Sequence, residues 1–394
     1  MRIGIDLIDL APKMSQGINV YSENLVKGFI KLNKKVKLQL YVNKNYYNYA
    51  VKEFKSKNTK IIIYNQSNLR LKYILNKLFF QFFSLLNIKS LFLYAFIKNY
   101  FFKDFKILIE KNSDGLICPN VILNHYDFNI KTLLCIHDIQ HTYLPENFSR
   151  VERNERYHTR NNSVKKCDIL IASSNFLKKQ CNSFFNKKLS SIKVISEGVD
   201  FKVFKKKNYS NKKIGNIKLP KKFIFYPAGF WPHKNHLLLL KAINNLNQKR
   251  KRINLVLCGS KKSFYKKIIK YIDDNKLFNV SYLGSIDHNN LIKCYNLCTG
   301  VVMPSIEESA SLLLKETAAI GKPFLGSNTK TFIERNQEFK ITLFNVNKVS
   351  DLEKKISDLY FNSSKYKKKI KYNNLVIKKY SWENIANQFY QQAK

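Results

Sequence analysis

Acidic side chains are scarce in this chain: 27 Asp and Glu stand against 70 Lys and Arg in 394 residues, a formal charge of +43. A field of that sign attracts polyanions of any kind, which leaves nucleic acid, an anionic membrane surface or negatively charged small substrates as partner classes. The lysines are spread along the whole chain beside many Asn and Ile, so part of the excess is also what a general compositional bias places on a solvated surface. RNP, KH and helix-turn-helix signatures are lacking, and the aromatics cluster in one region instead of lining a basic sheet, which sets nucleic acid aside. Cysteine is limited to Cys118, Cys135, Cys167, Cys181, Cys258, Cys294 and Cys298, an odd and irregular set lying mostly in apolar runs such as "LLCIHD" and "LVLCGS". That pattern excludes a disulfide framework and fits reduced, buried thiols in a cytoplasmic protein. Cys294 and Cys298 share a helix face, but no second pair accompanies them, which argues against zinc. No signal-peptide core follows "MRIGIDLIDL", which reads as an immediate strand. With 45% hydrophobic and 14% aromatic residues the chain is not disordered. Its length points to two domains.

What is present is a rhythm. "RIGIDL", "VKLQLYV", "KIIIY", "GLICP", "TLLCIHD", "DILIAS" and "IKVIS" read as strands, with helix patterns between them, including Val20 to Leu32 and Val151 to Lys166. "KFIFYPAG", "INLVLCG", "VSYLGS", "GVVMPS" and "KPFLGS" repeat the pattern in the second half. Repeated βα units predict an α/β protein of two doubly wound, Rossmann-like domains facing a central cleft. The Lys/Asn-rich stretch from Asp200 to Leu219, which has no apolar periodicity, is the expected linker. The expected domains are 1–205, 206–375 and a closing helix, 376–394, that crosses back onto the first domain.

The segment Leu78 to Phe105 is dense in Phe but interrupted by Lys89, Lys98 and Lys103. No run in it reaches the roughly 18 apolar residues of a spanning helix. Basic residues among aromatics suggest a helix lying on an anionic bilayer, with Phe79, Phe82 and Phe83 entering the acyl boundary. The plainer reading is a helix pair whose phenylalanines are core.

Chemistry concentrates in "PSIEESASLLLKETAAIGKP", Pro304 to Pro323. "GVVMPS" is a strand and "SLLLKETAAIG" a helix closed by Gly321 and Pro323, with its start expected near Ser309 or Ser311. Amides of Ala310, Ser311 and Leu312 would then point out of the helix N-terminus and suit a phosphate. Glu308 precedes that anion site, and Glu316, leaning back toward the N-terminus, reaches the same ligand. Carboxylates beside a phosphate site make sense as acceptors for sugar hydroxyls, and a nucleotide sugar supplies both chemistries. The plainer reading is a pair of solvated glutamates at a helix start.

Glu308 and Glu316, in strand–turn–helix context, resemble the signature of retaining glycosyltransferases of family 4, which have the GT-B fold. "HDIQHTYLPENFS", "SEGVD", "FYPAGFWPHKNHLLLLKAI" and "YSWENIAN" resemble further stretches of that family, in the same order and over nearly the whole chain. The resemblance implies that Lys234, with His233 beside it, neutralises the donor diphosphate, as a departing nucleoside diphosphate requires. It implies that Glu316 holds the ribose and Glu308 the transferred sugar, next to Ser309, Ala310, Ser311 and Leu312. His137 would face donor sugar and acceptor, and Gly17, after the first strand, would let backbone approach the donor. Lys234, Glu308 and His137 are thus the expected catalytic residues.

The family's arginine shortly before the lysine is replaced here by "FWPH", and its glycine-rich turn after the first glutamate by "SASLLL". The activity implied is transfer of a hexose from a nucleotide-diphosphate sugar to a hydroxyl of a glycan or lipid-linked acceptor, with retention of configuration and without metal or other cofactor. The "PAGFWPHKNH" variant is most similar to mannosyl- or rhamnosyl-type members that build bacterial surface polysaccharide or lipopolysaccharide. A nucleotide-sugar epimerase on the same fold, or a basic membrane- or RNA-binding module, are the rival readings. The expected place is the cytoplasm, against the inner face of the membrane if the Phe-rich segment docks there.

Overall fold

The seven apolar runs of the first half become one sheet. Its strands are β1 (Arg2–Leu7), β2 (Lys37–Val42), β3 (Thr59–Ile63), β4 (Gly115–Cys118), β5 (Lys131–Ile136), β6 (Ile169–Ala172) and β7 (Ile192–Val194), in the order β3-β2-β1-β4-β5-β6-β7. All pairings are parallel. Strands covered on both faces carry continuous apolar residues, which is why they read as runs and not as alternation. The chain is seen here in a computed structural model that describes residues 1–12, 17–32, 36–64, 69–86, 88, 90–205, 207–310 and 312–394.

The second half builds a six-stranded sheet from β10 (Ile224–Pro227), β11 (Leu255–Cys258), β12 (Val280–Tyr282), β13 (Gly300–Met303), β14 (Phe324–Ser327) and β15 (Thr342–Phe344), in the order β12-β11-β10-β13-β14-β15. These pairings are also parallel. β15 goes beyond the sequence reading: it lies in "EFKITLFNV", where no turn residue marks the start of a strand. In both sheets the winding reverses beside the first strand, between β1 and β4 and between β10 and β13. Such switch points open a crevice at the carboxyl ends of the strands, where ligands of doubly wound folds bind.

The chain divides into two units, Met1–Glu197 with Trp382–Lys394, and Gly198–Ser381. These bounds differ from the expected 1–205, 206–375 and 376–394. Contacts explain the shift. The Val199 N–H donates to the Tyr380 carbonyl at 2.8 Å, and Phe204 packs edge-on against Tyr295 and His288, so the chain joins the second unit well before residue 206. The last helix, α16 (Trp382–Ala393), lies against α1 (Gly17–Lys31) so closely that a Cβ on Gly28 would fall 2.3 Å from the Trp382 carbonyl oxygen. Nor is Asp200 to Leu219 wholly irregular. It contains a small hairpin, β8 (Lys213–Ile214) and β9 (Ile217–Lys218), turned by Gly215 at φ +54°. Gly-Asn is a two-residue hairpin turn signal that the lysines around it had masked.

Helices α2 (Lys44–Phe54), α3 (Leu69–Leu85), α4 (Leu91–Phe101), α5 (Lys103–Asn112), α6 (Gln140–Tyr143), α7 (Arg150–Lys166) and α8 (Asn175–Phe185) complete the first unit. The second has α9 (His236–Gln248), α10 (Tyr265–Asp274), α11 (His288–Leu297), α12 (Leu312–Ile320), α13 (Lys330–Arg335), α14 (Val349–Phe361) and α15 (Lys367–Val376). Three helices, α3 to α5, fill the single connection from β3 to β4, and they divide the Phe-rich segment between two fates. Phe83, Tyr94, Phe102 and Phe105 are core, and Phe79 packs partly against them. Leu78, Phe82 and Leu86 on α3 and its end, and Phe92, Phe96 and Tyr100 on α4, recur every four residues and are all exposed. The expectation that Phe79, Phe82 and Phe83 act together is therefore corrected: successive residues of a helix point to different faces, and only Phe82 of the three points out. Lys89 lies outside the described residues. Lys98 is buried, its ammonium donating to the Leu123 carbonyl at 2.8 Å, so it ties α4 to the unit and presents no charge to a surface. Among the described residues no helix is long and apolar enough to cross a membrane.

Candidate functional site

Two loops leave the second sheet at its switch point, one after β10 and one after β13, and hydrogen bonds stitch them together. After β10 the chain makes a single 3-10 turn, Pro232–Lys234, in which proline supplies the fixed φ of a first helical position. Asn235 then takes a left-handed conformation (φ 53°, ψ 41°), and α9 starts at His236. The Tyr226 hydroxyl donates to the Lys234 carbonyl at 2.8 Å. From the other loop, the Ile306 N–H donates to the His233 carbonyl at 2.9 Å, and the Ser327 hydroxyl holds the Ser305 carbonyl at 2.6 Å. The Thr331 hydroxyl donates to the carbonyl of Glu308. The side chains then meet: Lys234 Nζ lies 2.6 Å from Glu308 Oε1, with the carboxylate largely buried and the ammonium partly so.

The pair that the sequence reading assigned to one ligand is thus already one ion pair, 74 positions apart in the chain. Removing either charge would leave the other poorly solvated, so the two hold each other in place. An incoming diphosphate would compete with Glu308 for the ammonium and free the carboxylate for hydroxyl donors. Glu316 sits in α12, where its Oε2 accepts from the Tyr295 hydroxyl at 2.6 Å. Burial pushes its carboxyl up to about 7, against the opposing effect of the Tyr295 hydrogen bond. Near neutral pH it is therefore poised between acceptor-only carboxylate and a form that can also donate.

The remaining expected residues fall as follows. His233 and Ser309 are buried; Ala310 and Leu312 are half-buried. α12 begins at Leu312, so Ser309 and Ala310 belong to the loop before it. Ser311 lies outside the described residues. In the first unit, His137 follows β5, and its Nε2 is 2.8 Å from the Pro119 carbonyl, which can only accept. Nε2 therefore carries the proton and Nδ1 the lone pair. Burial lowers its pKa and keeps the ring neutral, and the Tyr21 ring packs edge-on at 4.7 Å. A neutral imidazole of this tautomer accepts a hydroxyl proton at Nδ1. Gly17 opens α1, and a Cβ there would meet nothing within 4 Å. Among the described residues no packing or positive φ demands glycine at this point.

Several supports were not legible beforehand. Tyr226, Ser305, Thr331 and Tyr295 come from four different elements, and only the fold brings them to Lys234, Glu308 and Glu316. A tyrosine or threonine inside an apolar run reads as core, so no sequence signal marks them.

Residues 208–376 match the family model described as glycosyl transferases group 1. A lipopolysaccharide 1,2-N-acetylglucosaminetransferase of Salmonella typhimurium is 27% identical over 241 residues, 57% of this chain and 61% of that protein. A glycosyltransferase of Methanocaldococcus jannaschii, itself uncharacterized, is 26% identical over 166 residues, 42% of this chain and 45% of its own length. The matched stretches thus span less than two thirds of either relative. Among solved structures, Anabaena HepE in complex with UDP and glucose superposes with a TM-score of 0.72 at 14% identity, covering 100% of this chain and 99% of its own. Sucrose-phosphate synthase of Thermosynechococcus elongatus does so with 0.71 at 16% identity, covering 99% and 98%. At such identities the structures speak for fold alone, and they extend it over the whole chain. The chain has the GT-B fold of two Rossmann-like units, and its residues 208–376, with Lys234, Glu308 and Glu316 among them, match the model of the group 1 glycosyl transferases.

Proposed function

We propose that this protein transfers a hexose, with retention of configuration, from a nucleoside-diphosphate sugar to a hydroxyl of a glycan or lipid-linked acceptor in surface polysaccharide or lipopolysaccharide synthesis. The observation that carries the reading is the Lys234–Glu308 pair at the switch point between β10 and β13, 2.6 Å apart. As the bond from the sugar's anomeric carbon to the diphosphate breaks, negative charge grows on the leaving oxygen. Lys234 stabilises that charge where water is largely excluded. The acceptor oxygen bonds to the same face of the anomeric carbon, and its proton passes to the departing phosphate. Glu308 accepts from hydroxyls of the transferred sugar, Glu316 from the ribose, and neutral His137 orients a hydroxyl at Nδ1. With an ammonium meeting the diphosphate, the scheme needs no metal. The candidate donor sugars are the mannose or rhamnose expected from "PAGFWPHKNH" and the N-acetylglucosamine named for the Salmonella relative.

The outward face of α3 and α4 supports placement at an anionic membrane. Phe82, Phe92 and Phe96 are 55%, 81% and 63% exposed, and Lys103 and Lys111 are exposed on the adjoining α5. Apolar side chains flanked by lysines suit the headgroup boundary, where a lipid-linked acceptor is presented.

Thermal shift of the full chain against UDP-N-acetylglucosamine, UDP-glucose, GDP-mannose and dTDP-rhamnose tests the donor. One of these should stabilise the protein, and Lys234→Ala should cut transfer by at least about tenfold, about 1.4 kcal/mol of transition-state stabilisation, with the fold intact. Unchanged turnover of Lys234→Ala at saturating donor removes the lysine from the mechanism.

A further inference from the structure

The first unit contains a cavity of about 370 Å³ between the start of α7 and the end of α8, lined by His141, Arg150, Arg153, Asn154, Tyr157 and Phe184 among others. Arg150, Arg153, Asn154 and Tyr157 share one face of α7 by helical spacing. Both arginines are exposed. The nearest acid on the helix, Glu152, is already committed: its Oε2 accepts from the Ser149 amide and hydroxyl, each at 2.8 Å, in a capping box. Two like charges three residues apart repel, and the positive end of the helix dipole adds to them. An anion between the guanidinium groups would relieve both.

An independent observation comes from the opposite wall. His141 is buried, and its Nδ1 faces the Arg160 guanidinium at 3.5 Å, a group that can only donate. Nδ1 must therefore hold the lone pair and Nε2 the proton. That Nε2 is buried and has no hydrogen-bond partner among the described residues. Burial and the neighbouring Arg160 and Arg156 push its pKa down to about 3, so it stays a neutral N–H donor over the working range. A buried donor left unpaired is costly, which points to a group that completes it on binding. Asn154 and Tyr157 add polar reach, while the Phe184 ring, edge-on to His141 at 6.0 Å, supplies an apolar wall. Apolar walls with a few convergent polar groups describe a small-molecule site, and the forked guanidinium geometry suits phosphate oxygens.

We propose that this cavity binds a phosphorylated sugar unit of the acceptor, with Arg150 and Arg153 on the phosphate and His141, Tyr157 and Phe184 around the sugar. The Arg160 guanidinium couples the cavity to the loop that carries His137, because it also donates to the Asp138 carbonyl at 2.6 Å and lies 3.2 Å from its carboxylate. The proposal rests on reading the His137 side of the protein as the acceptor side. It deepens that reading by naming an acidic acceptor, which the donor site does not require.

The test is binding of glucose phosphate, glucose and inorganic phosphate to the full chain, followed by ligand-observed NMR, with UDP binding measured alongside. Glucose phosphate should bind more tightly than either of the other two. The double variant Arg150→Gln, Arg153→Gln, both at exposed positions, should keep its melting temperature and UDP affinity while losing at least about tenfold in glucose phosphate affinity. Glucose phosphate binding that is absent, equal to that of inorganic phosphate, or unchanged in the variant overturns the proposal. Arginine-dependent binding in a protein that takes up no nucleotide would instead overturn the transferase reading and leave the cavity's assignment standing.

Discussion

Between the strands that flank its switch point, the second unit uses short connections, each strand followed by one packed helix. The first unit inserts α3, α4 and α5 between β3 and β4. The extra helices are more than the sheet needs: Phe83, Tyr94, Phe102 and Phe105 supply their inner faces, and the outer face of α3 and α4 is left apolar and uncovered by any described residue. The second unit instead concentrates its unusual chemistry at one point, where a lysine and a glutamate are paired in a polar, hydrogen-bonded loop junction. The same winding thus carries two additions, an uncovered apolar face on one unit and a partly buried Lys–Glu pair on the other. Scaffold and purpose separate in this way because a site needs only a few positions of the fold it is built on.

The sharpest way to break the contrast is to exchange inner and outer phenylalanines of the inserted helices. Phe83→Ser, at a 2% exposed position, should cost about 3–5 kcal/mol and lower the urea midpoint strongly. Phe82, Phe92 and Phe96 changed together to Ser should leave the urea midpoint nearly unchanged and abolish sedimentation with anionic vesicles. Should the outer triple variant unfold like the inner single one, the outer face is core, and the membrane placement falls.

A smaller effect separates the units by pH. Glu316 in the second unit and Asp6 in the first are both buried carboxyls pushed up to about 7, Asp6 by burial and by Asp9. For Glu316, ionisation in the unfolded chain begins near its ordinary 4.5, while the folded chain keeps the proton until about 7. In that window the folded state binds more protons, so unfolding free energy should fall as pH rises and level off above it. Glu316→Gln should remove its share of the fall, and Asp6→Asn the other. Urea titrations from acid to neutral pH check this. A pH slope identical in wild type and Glu316→Gln would mean that Glu316 is ionised throughout.

The smallest effect belongs to Gly17. Since a Cβ there meets nothing, Gly17→Ala should leave stability equal or raise it by about 0.5 kcal/mol. Donor affinity should nevertheless drop if the family's use of this glycine carries over. Unchanged donor affinity in a calorimetric titration would assign the position to the turn alone.

Each strand of the first sheet was legible as an apolar run: two-sided burial writes itself into the composition of the inner strands, and the edge strand β3 keeps three consecutive isoleucines although it is only half-buried. β15 was not, since no turn residue sets its short apolar stretch off from the preceding "NQEFK", and the β8–β9 hairpin was hidden by lysines whose charge says nothing about backbone conformation. At the candidate site, spacing and resemblance singled out Lys234, Glu308 and Glu316, but not the partners the fold gives them. The Glu316 hydrogen bond comes from Tyr295 on another helix, and the Lys234–Glu308 pair joins loops whose meeting depends on which strands are neighbours. The arginine cavity escaped for a similar reason, since "RVERNER" reads as a solvated helix until His141 is placed opposite it.

The attachment of α16 to α1 has a consequence for synthesis. The first unit is assembled from Met1–Glu197 and Trp382–Lys394, so everything from Gly198 to Ser381 leaves the ribosome before the first unit receives its last piece. The unit made first is therefore the unit finished last. Until Trp382 emerges, the surface around Gly28 and Tyr21, against which Trp382 will pack at 5.3 Å, stays wet and open to capture by a chaperone. A nascent chain halted before α16 should carry a protease-resistant second unit beside a first unit still open to cleavage.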